Sequence, residues 1–257
     1  MGTDSLFSLQ NKVAIVTGGG RGLGLAISHA LAEAGSNIVV CSRKEANCKN
    51  VARDIARLGV RAMGYKCDIT KRDNVVNLKD FVLKEFGKID ILVNNSGATW
   101  GAPMEHYPLD GWNKVMKVNV TGTFLCSQII GNQMIEGGGG KIINVSSITG
   151  AVGCKSEIMD AIAYNTSKGA IDAFTKDLAV KWAKHHINVN AIAPAFFRTD
   201  LTRVTMDKGG EQILNHIPMG RFGELSDLKG SVIFLASTAS DYITGIILYV
   251  DGGFRAM

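Results

Sequence analysis

The sequence predicts an α/β fold: a doubly wound parallel sheet of about seven strands with helices on both faces. Three features carry this expectation. Short, continuous apolar runs recur from residues 12–17 (KVAIVT) to residues 246–250. Segments of helical length and periodicity separate them. Strands apolar throughout belong in a sheet covered on both faces, and right-handed crossovers supply the covering helices. The third feature is continuity. No linker or shift in composition divides the 257 residues, so residues 1–257 are read as one domain with a short tail at 1–10.

The elements follow in order. Residues 12–17 end in Gly18-Gly19-Gly20-Arg21-Gly22-Leu23-Gly24, and residues 25–34 form an amphipathic segment closed by Gly35. Strand, glycine turn and helix aim a helix N-terminus and free backbone N–H groups at a phosphate. The common G-x-G-x-x-G fingerprint fails, because Leu23 stands three residues after Gly20; T-G-x-x-x-G-x-G fits through Thr17, Gly18, Gly22 and Gly24. Residues 37–41 read as a strand, 45–58 as a helix, 61–67 as a strand, 74–86 as a helix and 89–94 as a strand. Residues 115–134 are largely helical, 141–146 a strand, 163–184 a helix, 188–192 a strand, 227–236 a helix and 246–250 the last strand. In such a sheet the ligand lies beyond the C-terminal strand ends. Polar residues gathered there are Arg43, Asp68, Asn94-Asn95-Ser96-Gly97, Ser146-Ser147 and the stretch from Pro194 to Thr199.

Composition excludes several functional classes. Five scattered cysteines without a C-x-x-C pair argue against a disulfide framework or zinc site and suit a reducing, cytoplasmic setting. The start shows no secretory signal, and no apolar run approaches the roughly 20 residues that cross a bilayer. The net charge of +5 is spread along the chain, which favours a solvated surface over a nucleic-acid patch. None of the five histidines has metal-ligand spacing, so no metal is expected.

Chemistry enters with Tyr164-Asn165-Thr166-Ser167-Lys168. Four residues are about one helical turn, so the phenol of Tyr164 and the ammonium of Lys168 share a face. A cation so placed is expected to lower the tyrosine pKa from its ordinary ~10 and ready it for proton exchange with an alcohol or carbonyl oxygen. The pair alone is common in helices and decides little.

The motifs together decide more. Thr17-Gly18…Gly22-Leu23-Gly24, Asp68, Asn94-Asn95-Ser96-Gly97, Asn119, Asn144-Val145-Ser146-Ser147, Tyr164-x-x-x-Lys168, Pro194…Thr199 and Asp251-Gly252-Gly253 occur in order, each beside its strand or helix. Over roughly residues 9–253 the chain resembles the short-chain dehydrogenase/reductase family, in its single-domain branch. The resemblance implies a Rossmann-type fold and a catalytic set of Asn119, Ser147, Tyr164 and Lys168. Tyr164 would be the general acid/base, Ser147 would hydrogen-bond the reacting oxygen, and Lys168 would bind the nicotinamide ribose. Asn119 would hold a water that relays the proton. Ser146 is assigned a structural part.

Cofactor contacts are expected from Gly18, Gly20, Arg21, Gly22, Leu23 and Gly24 in the loop, and from Asp68, Ile69 and Asn95 around the nucleotide. Tyr164, Lys168, Pro194, Phe197 and Thr199 would lie at the nicotinamide end. Asp68 would accept from the adenine amino group or cap the following helix. At the end of the second strand Ser42-Arg43-Lys44 contains no acid, so a 2′-phosphate, and hence NADP, is favoured over NAD.

Three departures from the family pattern stand out: a Ser147–Tyr164 separation of 17 positions, Ser96 in place of alanine and Ala195 in place of glycine. The first lengthens loop 150–161, which carries Lys155, Glu157 and Asp160, as an exposed insertion or a substrate lip. Residues 196–217 would form a substrate lid, with Phe196, Met206 and Ile213 lining an apolar pocket or simply packing. Trp100, Met104 and His106 could form the opposite wall. The C-terminal motif and the face of residues 163–182 would bind a second copy, in a homotetramer or homodimer.

The substrate would be a small carbonyl or alcohol compound. The motifs look closest to the gluconate 5-dehydrogenase and 3-oxoacyl-carrier-protein reductase groups, and Arg198 and Arg203 would suit an acidic substrate. A non-catalytic nucleotide sensor is the alternative from another class, and the intact catalytic set speaks against it.

Overall fold

A computed structural model describes residues 2–199 and 202–257 of the chain. Seven parallel strands form one sheet in the order β3-β2-β1-β4-β5-β6-β7. They are β1 (Val13–Thr17), β2 (Asn37–Ser42), β3 (Ala62–Lys66), β4 (Ile91–Asn94), β5 (Gly140–Val145), β6 (Ile187–Pro194) and β7 (Ile247–Val250). The sequential order reverses between β1 and β4, which opens a crevice at their C-terminal ends where such sheets bind ligands. β1 and β4 are buried at every position, as strands covered on both faces must be.

The helices are α1 (Thr3–Leu6), α2 (Gly22–Glu33), α3 (Glu45–Ala56), α4 (Arg72–Phe86), α5 (Leu109–Met116), α6 (Gly122–Glu136), α7 (Ile162–Trp182), α8 (Arg203–Leu214) and α9 (Lys229–Ala236). One core layer packs β1, β2 and β4 against α2, α3 and α9 through Val16, Ile27, Val40 and Leu235. The other packs the opposite face against α4, α6 and α7 through Ile15, Leu78, Ile130 and Ala179. No helix among the described residues is long and apolar enough to cross a membrane.

Element boundaries moved where side chains intervene. β4 starts at Ile91 rather than residue 89, and the Asp90 carboxylate caps the neighbouring strand by accepting from the Val13 N–H at 2.9 Å. α2 starts at Gly22 rather than residue 25, so it absorbs the last two loop glycines. Within the expected tail, Thr3–Leu6 forms a helical turn and Leu9 is fully buried, its N–H bonded to the Ala34 carbonyl at 2.8 Å. The expected lid contains α8, though residues 200 and 201 lie outside the described residues.

Candidate active site

The glycine loop shows why these residues are glycine. Gly18 and Gly22 adopt φ +66° and +54°, conformations that side-chain-bearing residues avoid. At Gly24 a Cβ would collide with the Gly18 carbonyl and the Asn95 amide, so helix and turn close up only without one. Arg21, in the N-cap position of α2, is extended and supplies no side-chain cap, which leaves the first N–H groups of α2 facing outward from the loop. Such a cradle fits the phosphates of a dinucleotide.

The β1–β4 switch point is held by side chains. Thr17 Oγ1 accepts from the Asn95 N–H at 3.0 Å and the Ser96 N–H at 3.1 Å, and Asn95 Nδ2 donates to the Thr17 carbonyl at 2.9 Å. The Asn95 side chain, expected at the cofactor, therefore pins the glycine loop to β4. Ile69 likewise turns its side chain into the core, against the space left by Gly122, so only its backbone remains for a nucleotide.

Around the expected adenosine end, Arg43 is exposed and the Ser42 hydroxyl bonds its own turn, accepting from the Lys44 N–H at 3.2 Å. Asp68 does not cap α4. Its carboxylate accepts from the Thr70 N–H at 3.0 Å and hydroxyl at 2.8 Å, while Lys71 holds the N-cap position. Burial works to raise the Asp68 pKa, but the Thr70 bonds and the Arg43 and Lys71 charges outweigh it and hold the group below its ordinary value.

The four expected catalytic side chains come together at the C-terminal end of β5. Ser147 follows β5, and its Oγ accepts from the Thr149 N–H at 3.2 Å and hydroxyl at 3.0 Å, which leaves its own proton to donate. Tyr164 is half-buried in the first turn of α7, on the side of Ser147. Lys168 is 5% exposed, and its Nζ lies 5.3 Å from the Tyr164 ring centre and donates to the Val145 carbonyl at 2.7 Å.

Electrostatics here departs from expectation. The tyrosine pKa was expected to fall under the influence of Lys168; instead burial raises it, and the opposing pull comes from Ser147. The lysine is itself brought down to about 8, because burial penalises its charge more than Asp172 supports it. The ammonium is turned towards the Val145 carbonyl, and it is not what opposes burial at the phenol.

Asn119 sits in a π-turn, Lys117–Thr121, between α5 and α6. Single π-turns reshape the helix ladder and concentrate at functional sites. Its side chain is committed: Oδ1 accepts from the Ala98 N–H at 2.7 Å, and Nδ2 donates to the Ala98 carbonyl at 3.0 Å and to Ser167 Oγ at 2.8 Å. A bound water would therefore meet the widened backbone ladder rather than the amide hydrogens.

Sequence reasoning gave Ser167 no part and named Asn94 and Asn144 only as motif residues. Ser167 is fully buried and donates to the Tyr164 carbonyl at 2.7 Å, so it ties Asn119 to the catalytic turn. Beneath them Asn94 Nδ2 donates to Asn144 Oδ1 at 2.9 Å, and Asn144 Nδ2 to Thr175 Oγ1 at 2.9 Å. The usable signal was a polar residue three positions from Tyr164, hence on the same helix face.

The expected walls are only partly assembled. Pro194 and Phe197 are buried, Phe197 in the main core, and the Phe197 carbonyl accepts from the Thr202 hydroxyl. Thr199 lies beside Gly22 at the mouth of the glycine loop. Phe196 and Ile213 pack with Ile148, Ile217 and Phe222, with Met206 against them, and Phe196 and Ile217 also line a cavity with Tyr249 and Val250. Trp100, 37% exposed, lies on α5 over Gly111, while Met104 is 65% exposed and His106 is exposed. Arg198 pairs with Glu224 at 4.0 Å and stacks over Phe222; the Arg203 side chain lies outside the described residues. Loop 150–161 spans the gap between the walls: the Ala102 N–H donates to the Asp160 carbonyl at 3.0 Å, and Gly209 of α8 rests on Glu157 and Ile158.

Known proteins share this architecture. The family model for short chain dehydrogenases matches residues 12–209. The 2-dehydro-3-deoxy-D-gluconate 5-dehydrogenase of Pseudoalteromonas atlantica is 41% identical over 251 residues, 96% of this chain and 97% of that protein. The 3-oxoacyl-(acyl-carrier-protein) reductase of Aquifex aeolicus is 37% identical over 95% of this chain and 98% of its own. A solved gluconate 5-dehydrogenase from Burkholderia cenocepacia, in complex with NADP and tartrate, aligns over 100% of both chains with a TM-score of 0.95 and 35% identity.

Proposed function

The chain belongs to the short-chain dehydrogenase/reductase family, and on that premise we propose that it is an NADP-dependent oxidoreductase interconverting a secondary alcohol and a carbonyl in a sugar acid of the gluconate class. The observation that carries this reading is the convergence of Ser147, Tyr164, Lys168 and the Asn119–Ser167 pair at one strand end of the β5–α7 crossover. The relatives named for gluconate-type substrates support the substrate class. The Aquifex relative keeps a 3-oxoacyl thioester as the second reading.

When bound, the nicotinamide supplies or takes up the hydride. The residues of the chain handle the charge that then develops on oxygen. Ser147, whose proton the Thr149 bonds leave unused, donates to that oxygen. Tyr164, kept protonated by burial, gives its proton to the same oxygen in reduction and retrieves it in oxidation. Lys168 holds the ribose, and the backbone of the Asn119 π-turn places the water that refills the phenol. The glycine loop from Gly18 to Gly24, with Leu23, would cradle the pyrophosphate. Arg21, Ser42 and Arg43 would meet the 2′-phosphate, Asp68 and Ile69 the adenine, and Pro194, Phe197 and Thr199 the carboxamide, with residues 196–217 as the lid. A homotetramer or homodimer would bury the C-terminal motif and the face of residues 163–182, where Val180 is 80% exposed. The five unpaired cysteines fit a cytoplasmic setting.

The test is NADPH consumption with a panel of 5-keto sugar acids, simple ketones and 3-oxoacyl thioesters. Highest kcat/KM on a keto sugar acid is expected. Highest activity on the thioesters would replace the substrate assignment, and NADPH binding without turnover would replace the enzyme with a sensor.

A further inference from the structure

Helix α7 carries, one turn beyond Lys168, a residue that a helix packed on a sheet does not need. Asp172 is 8% exposed and shares the buried face with Lys168, Ile171 and Thr175. Its Oδ1 has no hydrogen-bond partner. Its Oδ2 lies where a Cβ on Gly150 would stand 3.0 Å away, so the turn after Ser147 packs directly on this carboxylate and on the Lys168 backbone. The Ser146 hydroxyl, at the end of β5, donates to the Lys168 carbonyl at 3.3 Å. A buried carboxylate with an unsatisfied oxygen is less favourable there than an apolar residue of similar size. Packing therefore does not account for it.

Burial raises the Asp172 pKa, opposed by the Ser146 hydroxyl and by the charges of Lys176 and Lys168 on its own helix and Arg255 on the C-terminal turn, which act through space. Lys168 in turn sees Asp172 as its anion, with the Tyr164 ring beside it and only the neutral Val145 carbonyl as a hydrogen-bond acceptor. Burial strips the ammonium of its hydration, and Asp172 opposes the resulting loss of charge.

We propose that Asp172 is a positioning residue for the hydride-transfer site: its buried carboxylate keeps Lys168 in the ammonium form and so sets the alkaline limit of nucleotide binding and turnover. The proposal rests on the dehydrogenase reading for its catalytic consequence, but its binding consequence does not need turnover. Lys168 uses its charge to hold the nucleotide, so loss of Asp172 acts only where Lys168 starts to lose its proton.

The experiment compares wild type with Asp172→Asn, Asp172→Leu and Asp172→Glu. NADPH affinity is followed by fluorescence titration from pH 6 to 9.5, alongside kcat/KM and thermal melting. In the Asn and Leu variants the alkaline limb of binding should move to lower pH by about half to one unit. Affinity at pH 6 should stay unchanged and affinity at pH 8 should fall several-fold. Melting temperatures should be equal or higher, and Asp172→Glu should keep the wild-type limb. An unmoved limb in both neutral variants would overturn the proposal, as would a uniform loss at every pH accompanied by lower melting temperature. If the parent turns over no carbonyl compound, the dehydrogenase reading falls, and the NADPH titration still decides for or against Asp172.

Discussion

Lys168 donates to the Val145 carbonyl at 2.7 Å, an ammonium buried at a strand end with a neutral partner. Burial brings its pKa down from 10.5 to about 8. Between those values the unfolded chain binds the proton and the folded chain does not, so this group makes the nucleotide-free protein more stable as pH rises from about 8 to 10.5. Below the lower limit it is a standing cost of about 3 kcal/mol. Urea unfolding of wild type and Lys168→Met across pH 7–10 should show the variant more stable at the low end and the two converging at the high end. Parallel curves would refute the link.

Tyr164 is raised, not lowered, by its surroundings, so it begins as a proton donor. Carbonyl reduction should therefore hold through neutral pH, and alcohol oxidation should climb towards alkaline pH as the phenol ionises. Tyr164→Phe should cut kcat by about two to four orders of magnitude in both directions. NADPH affinity, measured by fluorescence titration, should remain within a few-fold of wild type, and a comparable loss of binding would mean that the residue serves the nucleotide instead.

Arg43 is exposed at the end of β2, its charge acts on Asp68, and on the proposed reading it meets the 2′-phosphate. Replacing it with alanine should lower kcat/KM for NADPH by about ten- to a hundredfold, the equivalent of one charge-assisted bond, and leave NADH values unchanged. Equal effects on the two cofactors would remove the basis for NADP preference.

Two glycines of the same loop should behave differently. A Cβ at Gly24 meets the Gly18 carbonyl and the Asn95 amide, whereas one at Gly20 has nothing nearer than Asn47 Cβ at 3.4 Å. Gly24→Ala should cost about 1–3 kcal/mol in chemical denaturation and weaken NADPH binding. Gly20→Ala should match wild type in stability. The reverse order would mean that the loop closes by a different contact.

The strand and helix order was legible because a sheet buried on both faces demands unbroken apolar runs, and residues such as Ile15, Val39 and Leu92 provide them. The candidate site residues were named from motifs that resemble the family's, and the fold brings Ser147, Tyr164 and Lys168 to the end of β5. What sequence spacing cannot contain is the environment of each group. That Tyr164 shares a helix face with Lys168 follows from four-residue spacing; that burial raises the phenol, with Ser147 rather than Lys168 opposing it, follows only from the enclosed packing. Asn95 and Ile69 were assigned to the nucleotide by position. The fold turned one side chain to Thr17 and the other into the space opened by Gly122, contacts that join residues dozens of positions apart. Periodicity along the chain determined the architecture. Desolvation and long-range contact, which exist only after the layers close, decided the charge states and the side-chain partners.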